Sequence, residues 1–256
     1  MNQKERIAKI LELLQEKEKL DATELADYFQ ISKDSIRRDI LLIVNDGLAE
    51  RYRGGITLPI IKTKIEDYSK RLVINSQEKQ LIAHEAVQQI STDQTIWLDV
   101  STTVQFIAKE LTKENVLIVT NSIDNAISAT QVNAQQEVYL LGGYFNANSH
   151  LLHGTSLITQ LANFYFDIAF IGASGINETG LFYSELEDIE LKQTIIKNAK
   201  RTCVLLDSSK VRNTSNFKLD FSDIDLIITD KPLPETITAQ LSEADVKIML
   251  VKGGKK

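Results

Sequence analysis

Apolar residues in the first part of the chain recur at helical spacing. Ile7, Ile10, Leu11 and Leu14 share one face of a helix over residues 1–17. A polar turn, Lys17-Glu18-Lys19, follows. Asp21 with Glu24 three residues later is the Asp form of a capping box, and it opens a shorter helix with Leu25, Ala26 and Phe29 inward. A brief turn leads to Ser32, whose hydroxyl can accept from the free N–H groups of a helix's first turn. Ile31 before that cap can pack on Ile36, and Ile36, Ile40 and Ile43 make one buried stripe. Gly47 ends this third helix, and residues 48–58 read as two short strands around Gly54-Gly55. Helix, helix, tight turn, helix and a two-stranded wing is the winged helix-turn-helix plan.

Further on the spacing changes. Pro59 and the polar Lys62-Thr63-Lys64 mark a linker, residues 59–75, in which Ile65, Tyr68 and Leu72 keep the spacing of a short helix. From Ser76 onward, helices alternate with short apolar runs. Helices are predicted at residues 76–90, 103–111, 124–130, 157–163, 186–199 and 235–243. Strands are predicted at residues 95–99, 116–120, 138–141, 167–171, 203–207, 226–229 and 247–251. Apolar strands separated by helices imply a largely parallel sheet covered on both faces. The predicted fold class is therefore α/β, with a winged helix-turn-helix at residues 1–58, a linker at 59–75 and an α/β domain at 76–256.

Charge adds a local signal only. The chain carries −6 overall, and residues 1–58 hold ten Lys plus Arg against eleven Asp plus Glu. Five of those ten cations, Lys33, Arg37, Arg38, Arg51 and Arg53, lie on the third helix and just after it. Lys33 and Arg37 stand one turn apart with Arg38 beside them, and Asp34 favours the helix start through its dipole. Cations so arranged suit phosphate and guanine contacts in a major groove. An amphipathic helix with a solvated face has the same pattern. The single Cys203 leaves no internal disulfide, and no apolar run approaches the ~20 residues that span a bilayer. The opening Met-Asn-Gln-Lys-Glu-Arg is unlike a secretion leader, so a cytoplasmic location without membrane contact is expected.

Parallel sheets of this type bind ligands beyond the carboxyl ends of their strands. Polar and glycine residues collect there. The first strand ends Asp99-Val100-Ser101-Thr102-Thr103 and runs into a helix. Those hydroxyls and N–H groups can cradle a phosphate, or simply cap the helix. The next ends are Thr120-Asn121, Gly142-Gly143 and Gly172-Ala173-Ser174-Gly175, where glycine allows close approach of a ligand or a tight turn. Asp207-Ser208-Ser209-Lys210 follows a later strand, and Lys210 can supply a point charge to phosphate or remain a solvated loop residue. Cys203 and Trp97 sit on strands and read as core. His84 reads as structural, and His150 with His153 falls in a polar loop. No metal site, Walker loop or dinucleotide fingerprint is present, and no cofactor is expected.

Two sets of residues carry a family resemblance. Ser32, Ser35-Ile36-Arg37-Arg38-Asp39, Gly47 and Arg51-Tyr52-Arg53-Gly54-Gly55 resemble the winged helix of the DeoR family of bacterial transcription regulators. Glu78-Lys79, Asp99 with Ser101-Thr102-Thr103, Thr120-Asn121, Gly142-Gly143, Gly154, Asp167 through Gly175, Gly180-Leu181, Glu187 with Glu190 and Lys192, and Asp207 through Lys210 resemble that family's sensor domain. The chain departs from the family pattern at Ser35, where Thr is usual, and at Leu42 and Val44, where polar residues are usual. It departs again at Ser101 in place of Gly, Gln193 in place of Arg, and Val211-Arg212 in place of Phe-Gly.

The resemblance implies a sensor similar to ribose-5-phosphate isomerase, binding a phosphorylated sugar without turning it over. It also implies a homo-oligomer acting on double-stranded operator DNA. Ser32, Lys33, Ser35, Arg37, Arg38, Arg51, Tyr52 and Arg53 are then the DNA-contacting candidates. Asp99, Ser101, Thr102, Thr103, Thr120, Asn121, Gly142, Gly143, Ser174, Glu187, Lys192 and Lys210 are the effector candidates. The expected function is a repressor of sugar catabolism or transport genes. The alternative is a sugar-phosphate isomerase with an appended DNA-binding domain, using Glu187 or Asp99 as general base.

Overall fold

The computed structural model describes residues 3–17, 19–45, 49–52, 54–57, 72–147 and 149–251. The chain divides into two compact units, Met1–Ser69 and Lys70–Lys256. Arg53, Gly47 and the linker through residue 71 lie outside the described residues, and so does most of the short helix expected around Tyr68.

The first unit contains α1 (Gln3–Lys17), β1 (Lys19–Asp21), α2 (Ala22–Phe29), α3 (Lys33–Asn45), β2 (Glu50–Tyr52) and β3 (Gly55–Thr57). The predicted faces are the buried ones. Ile10, Leu14, Leu25, Ile36, Ile40 and Ile43 form one core with Leu20 and Ile56, and Ile31 packs on it. Of the polar turn expected at Lys17–Lys19, Lys17 is the last residue of α1 and Lys19 is the first of a strand. Lys19 and Asp21 flank buried Leu20, and β1 pairs antiparallel with β3 to give the order β1-β3-β2. Three residues are too short for an alternation signal to register. Asp21 does cap α2, its carboxylate accepting from the Thr23 N–H at 2.7 Å.

The second unit contains α4 (Ser76–Gln88), β4 (Thr95–Leu98), α5 (Gln105–Glu110), β5 (Leu117–Thr120), α6 (Ile123–Val132), β6 (Val138–Leu140), β7 (Tyr144–Asn146), β8 (Leu151–His153) and α7 (Thr155–Leu161). It continues with β9 (Ile168–Gly172), β10 (Gly175–Asn177), β11 (Gly180–Tyr183), α8 (Leu186–Lys197), β12 (Thr202–Leu205), β13 (Phe217–Leu219), β14 (Leu226–Thr229), α9 (Glu235–Glu243) and β15 (Lys247–Leu250). Seven strands form one sheet in the order β15-β14-β12-β9-β4-β5-β6, with every pairing parallel. Alternate residues feed two cores. Trp97, Val119, Ala169, Ile171, Val204 and Ile227 face one side, with Leu161, Ile195 and Ile237 of the covering helices. Ile96, Leu98, Ile118, Phe170, Cys203 and Ile228 face the other, with Ile82, Ala86 and Ile107.

The chain runs from β4 outward through β5 to β6, then returns to β9 on the opposite side of β4. The direction of winding thus reverses between β4 and β9, and that topological switch is where a doubly wound sheet opens a crevice. A small antiparallel sheet, β10-β11-β13, and the hairpin β7-β8 are additions that the helix–strand alternation does not announce. His153 accordingly lies in β8 rather than in a loop.

Candidate functional site

On α3 the cap and the exposed face are both in place. Ser32 Oγ accepts from the Ser35 N–H at 3.3 Å, and the two hydroxyls lie 3.0 Å apart. Lys33, Arg37 and Arg38 are exposed while Ile36, Ile40 and Ile43 are buried. Arg37 Nη1 meets Asp34 at 3.0 Å and Arg38 Nε reaches the Asp34 carbonyl at 3.4 Å. Contacts this exposed are worth about 0–1 kcal/mol, so both guanidinium groups can leave them for another anion. Arg51 is exposed on β2. Tyr52 is half-buried, with Lys19 Nζ 4.2 Å from its ring centre. Leu42 is exposed, whereas Val44 packs partly on the core.

The third residue of the Arg37-Arg38-Asp39 motif does something different. Asp39 is fully buried and accepts from Arg6 Nε at 2.6 Å and from Gln3 Nε2 at 2.8 Å. It ties α3 to α1. Spacing alone could have located it, because Asp39 and Ile43 stand one turn apart on the inward side.

In the second unit a buried pair occupies the switch between β4 and β9. Lys192 Nζ lies 2.7 Å from Asp99 Oδ1, and the other Asp99 oxygen accepts the Gly172 N–H at 3.0 Å. Both side chains are at most 5% exposed. Burial alone would lower the Lys192 pKa, but the Asp99 and Asp188 charges outweigh it and leave the ammonium raised. Asp188 is pushed up by burial first, against the pull of Lys192 and with repulsion from Asp99, Glu185 and Glu187. Tyr183 is buried beside them, its hydroxyl raised well above the usual range by burial and by the same two aspartates. Gly172 is required at its position: a Cβ there would stand 2.5 Å from Ser101 Cβ and Oγ.

The remaining candidates sort by what they already hold. Ser101, Thr102 and Thr103 form a turn, because α5 begins at Gln105 rather than Thr103; Thr102 and Thr103 are buried and Ser101 half-buried. Thr120 donates to the Leu98 carbonyl at 2.6 Å and accepts from the Ser122 N–H at 3.0 Å. Asn121 donates to Leu152 O at 2.9 Å, which docks the β7-β8 hairpin, and its buried Oδ1 has no hydrogen-bond partner among the described residues. Gly142 exchanges two hydrogen bonds with the Gln160 amide, and a Cβ on Gly143 would collide with His153 O. The half-buried Ser174 donates its N–H to Phe182 O. Glu187 is exposed in the first turn of α8. Lys210 ends a 3-10 turn, Ser208–Lys210, that Asp207 caps. Arg212 just beyond is exposed and left-handed at φ 63°.

Two residues outside the expected set belong to the same framework. Asn125 Nδ2 reaches Leu98 O, Asp99 O and Thr120 Oγ1 at 3.0–3.3 Å, fixing the ends of β4 and β5. The buried carboxylate of Asp207 is the other. Asn125 stands in the first turn of α6, shortly after β5, and Asp207 caps the polar turn shortly after β12; a polar residue soon after an apolar strand is the signal that points to both.

A winged helix-turn-helix followed by a parallel α/β domain with buried polar residues gathered at its switch point defines a ligand-sensing transcription regulator. The comparisons agree. A sequence profile for the DeoR-like helix-turn-helix domain matches residues 6–61, and one for the DeoR C terminal sensor domain matches residues 74–231. The HTH-type transcriptional repressor GlcR of Bacillus subtilis (strain 168) is 35% identical over 98% of this chain and 97% of its own length. The glycerol-3-phosphate regulon repressor of Escherichia coli (strain K12) is 27% identical over 98% of this chain and 100% of its own. The chain belongs to the DeoR family of DNA-binding transcription regulators. Ribose 5-phosphate isomerase A of Methanocaldococcus jannaschii aligns with 54% of this chain and 55% of its own at a TM-score of 0.39 and 23% identity, too loose a likeness to bear on function. Among the described residues no helix is long and apolar enough to cross a membrane.

Proposed function

We propose that this regulator represses genes of sugar use and that a phosphorylated sugar, bound at the carboxyl ends of the sensor's strands, controls its grip on operator DNA. The observation that carries the reading is the convergence of Asp99, Ser101, Gly172 and Lys192 at the reversal between β4 and β9. Ser101, Ser174 and Lys210 supply donors and charge for the phosphate. Asn121 and Glu187 face sugar hydroxyls, while Thr102, Thr103, Thr120, Gly142 and Gly143 shape the crevice. Residues 1–58 form the DNA-binding part, with Ser32, Lys33, Ser35, Arg37, Arg38 and Arg51 at the duplex beside Tyr52 and Arg53. A working homo-oligomer in the cytoplasm fits a regulator of paired half-sites. The E. coli relative's name, a regulon of a phosphorylated polyol, supports the ligand class.

The isomerase reading needs a free carboxylate as base. Both Asp99 oxygens are engaged, one by Lys192 and one by the Gly172 N–H, which disfavours proton abstraction there. Incubating the protein with pentose and hexose phosphates tests this directly, and isomerised product at enzymatic rates would reinstate the enzyme.

The regulatory reading is tested by pairing a thermal-shift screen of sugar phosphates and free sugars with a DNA-release assay. A ligand at a hundred times its Kd adds about 2.7 kcal/mol of stability. One phosphorylated sugar should stabilise the protein and change its affinity for the operator. Lys210→Ala should keep DNA binding and blunt that response; a wild-type response in this variant would remove Lys210 from the site.

A further inference from the structure

The turn at Ile74 and Asn75 is fastened to the same carboxylate that shapes the Lys210 turn. Asn75 Nδ2 donates to Asp207 Oδ1 at 3.1 Å across 132 residues of sequence. That oxygen also accepts the Ser209 N–H at 3.0 Å and the Ser209 hydroxyl, so it caps the turn that ends in Lys210. Asp207 is 1% exposed, and its second oxygen has no hydrogen-bond partner among the described residues. At the other end Asn75 sits in the left-handed region at φ 54°, ψ 35°, where asparagine is one of the few tolerated side chains. Its carbonyl accepts from the Lys79 N–H at 3.0 Å, and the buried Lys79 ammonium donates to the Ile74 carbonyl at 2.8 Å. Residues 74 and 75, the last two of the connector to the DNA-binding domain, are therefore held from two sides.

We propose that the Asn75–Asp207 hydrogen bond transmits occupancy of the effector crevice to that connector. The proposal rests on the reading of the crevice given above and adds the route by which it regulates. A phosphate at the Lys210 turn brings a dianion within a few residues of a buried carboxylate. Like charges in a poorly solvated place repel, so the turn shifts or the Asp207 carboxylate rotates. Either movement breaks the contact with Asn75 and releases the start of α4. Coupling of this kind is reciprocal: a connector held by DNA favours the capped turn and opposes the anion.

Hydrogen–deuterium exchange on the full chain tests this. Asn75→Gly keeps the left-handed backbone and removes the amide. Without ligand it should speed exchange in residues 208–213 as well as 72–80, by about tenfold for loss of a hydrogen bond to a charged group. Asp207→Asn should shift the same two stretches together. Acceleration confined to 72–80 in both variants would overturn the proposal. Ribose 5-phosphate, glucose 6-phosphate, fructose 6-phosphate and glycerol 3-phosphate are then added in turn. A sugar phosphate that protects 208–213 in the wild type should also loosen 72–80. In Asn75→Gly it should still protect 208–213 but leave 72–80 unmoved; a response at 72–80 that survives in the variant would overturn the route. If none of the four alters 208–213, the crevice reading fails for these sugars, and the ligand-free arm alone decides the coupling.

Discussion

Replacing Lys192 with methionine keeps the length of the side chain and deletes its charge. The ammonium sits 2.7 Å from Asp99 with both groups almost wholly buried. Removing one member of a buried pair leaves an uncompensated charge and costs roughly 3–5 kcal/mol. For a domain of this size each kcal/mol moves the melting temperature by about 2–4 °C, so Lys192→Met should lose roughly 6–20 °C. The double variant Asp99→Asn, Lys192→Met should recover most of that loss. The amide oxygen can still accept the Gly172 N–H, and neutral replacements of a buried pair are often tolerated. Urea unfolding and calorimetry at neutral pH measure both. A loss below about 1 kcal/mol for the single variant, the scale of an exposed pair, would refute the burial argument.

The pH dependence gives the same experiment a second axis. The folded Lys192 pKa is raised because two aspartates outweigh burial. A cation whose folded pKa exceeds its unfolded value contributes stability that is fully present below the unfolded value and is lost as pH rises through the folded one. Unfolded lysine titrates near ~10.4, so the pair's contribution should be constant through neutral and mildly alkaline pH and fade above that point. The methionine variant should lack this alkaline limb.

Three further outcomes follow from particular contacts. Arg6→Ala should destabilise the winged helix by roughly 3 kcal/mol by stranding buried Asp39, whereas Arg37→Ala should leave unfolding unchanged and weaken operator binding by about 1–3 kcal/mol if it reads guanine; circular dichroism melts with fluorescence anisotropy separate the two, and the opposite assignment would invert the inside and outside of α3. Gly172→Ala should cost about 1–3 kcal/mol through overlap with Ser101, and adding Ser101→Gly should restore it; failure of that rescue would locate the clash elsewhere. Asp188→Asn should raise the melting temperature at neutral pH, because a carboxyl whose folded pKa is raised loses stability as pH climbs through its ordinary value. The gain should vanish below about pH 3.9, and a loss at neutral pH would mean that attraction to Lys192 exceeds the burial term.

Periodicity made the winged helix and the parallel sheet legible because their faces are uniform. Ile36, Ile40 and Ile43 could face only inward, and strands buried on both sides had to read as apolar runs. The failures share a cause. β1, β7, β8, β10 and β13 have three residues each, too few to show an alternation of their own, and antiparallel pairing defines them, within local hairpins for β7-β8 and β10-β11 and with partners distant in sequence for β1 and β13. At the strand ends the sequence marks which residues gather but not which serve the backbone. Thr120 and Ser101 look alike as hydroxyls after strands. Only the fold distinguishes Thr120, buried and committed to both Leu98 and Ser122, from Ser101, which accepts the Thr103 N–H at 3.3 Å but stays half-exposed beside Gly172. Lys192 was recognisable as important from its motif, yet its partner stands 93 residues away.

The acidic balance of the chain is no obstacle to a DNA-binding role once the charges are located. Fields of exposed charges decay within about 10 Å at ordinary salt, so a phosphate at α3 responds to its neighbours and hardly to the −6 of the whole chain. On that helix the two acids are handled differently. Asp39 is turned inward and neutralised by Arg6, which removes one charge of each sign from the surface. Asp34 stays outside, paired with Arg37 in a contact weak enough to exchange. What remains outward is Lys33, Arg37 and Arg38, with Arg51 on the wing strand. The arginine–arginine–aspartate motif thus splits its charges across the helix: the acid builds the scaffold on one side, and the bases stay exposed on the other.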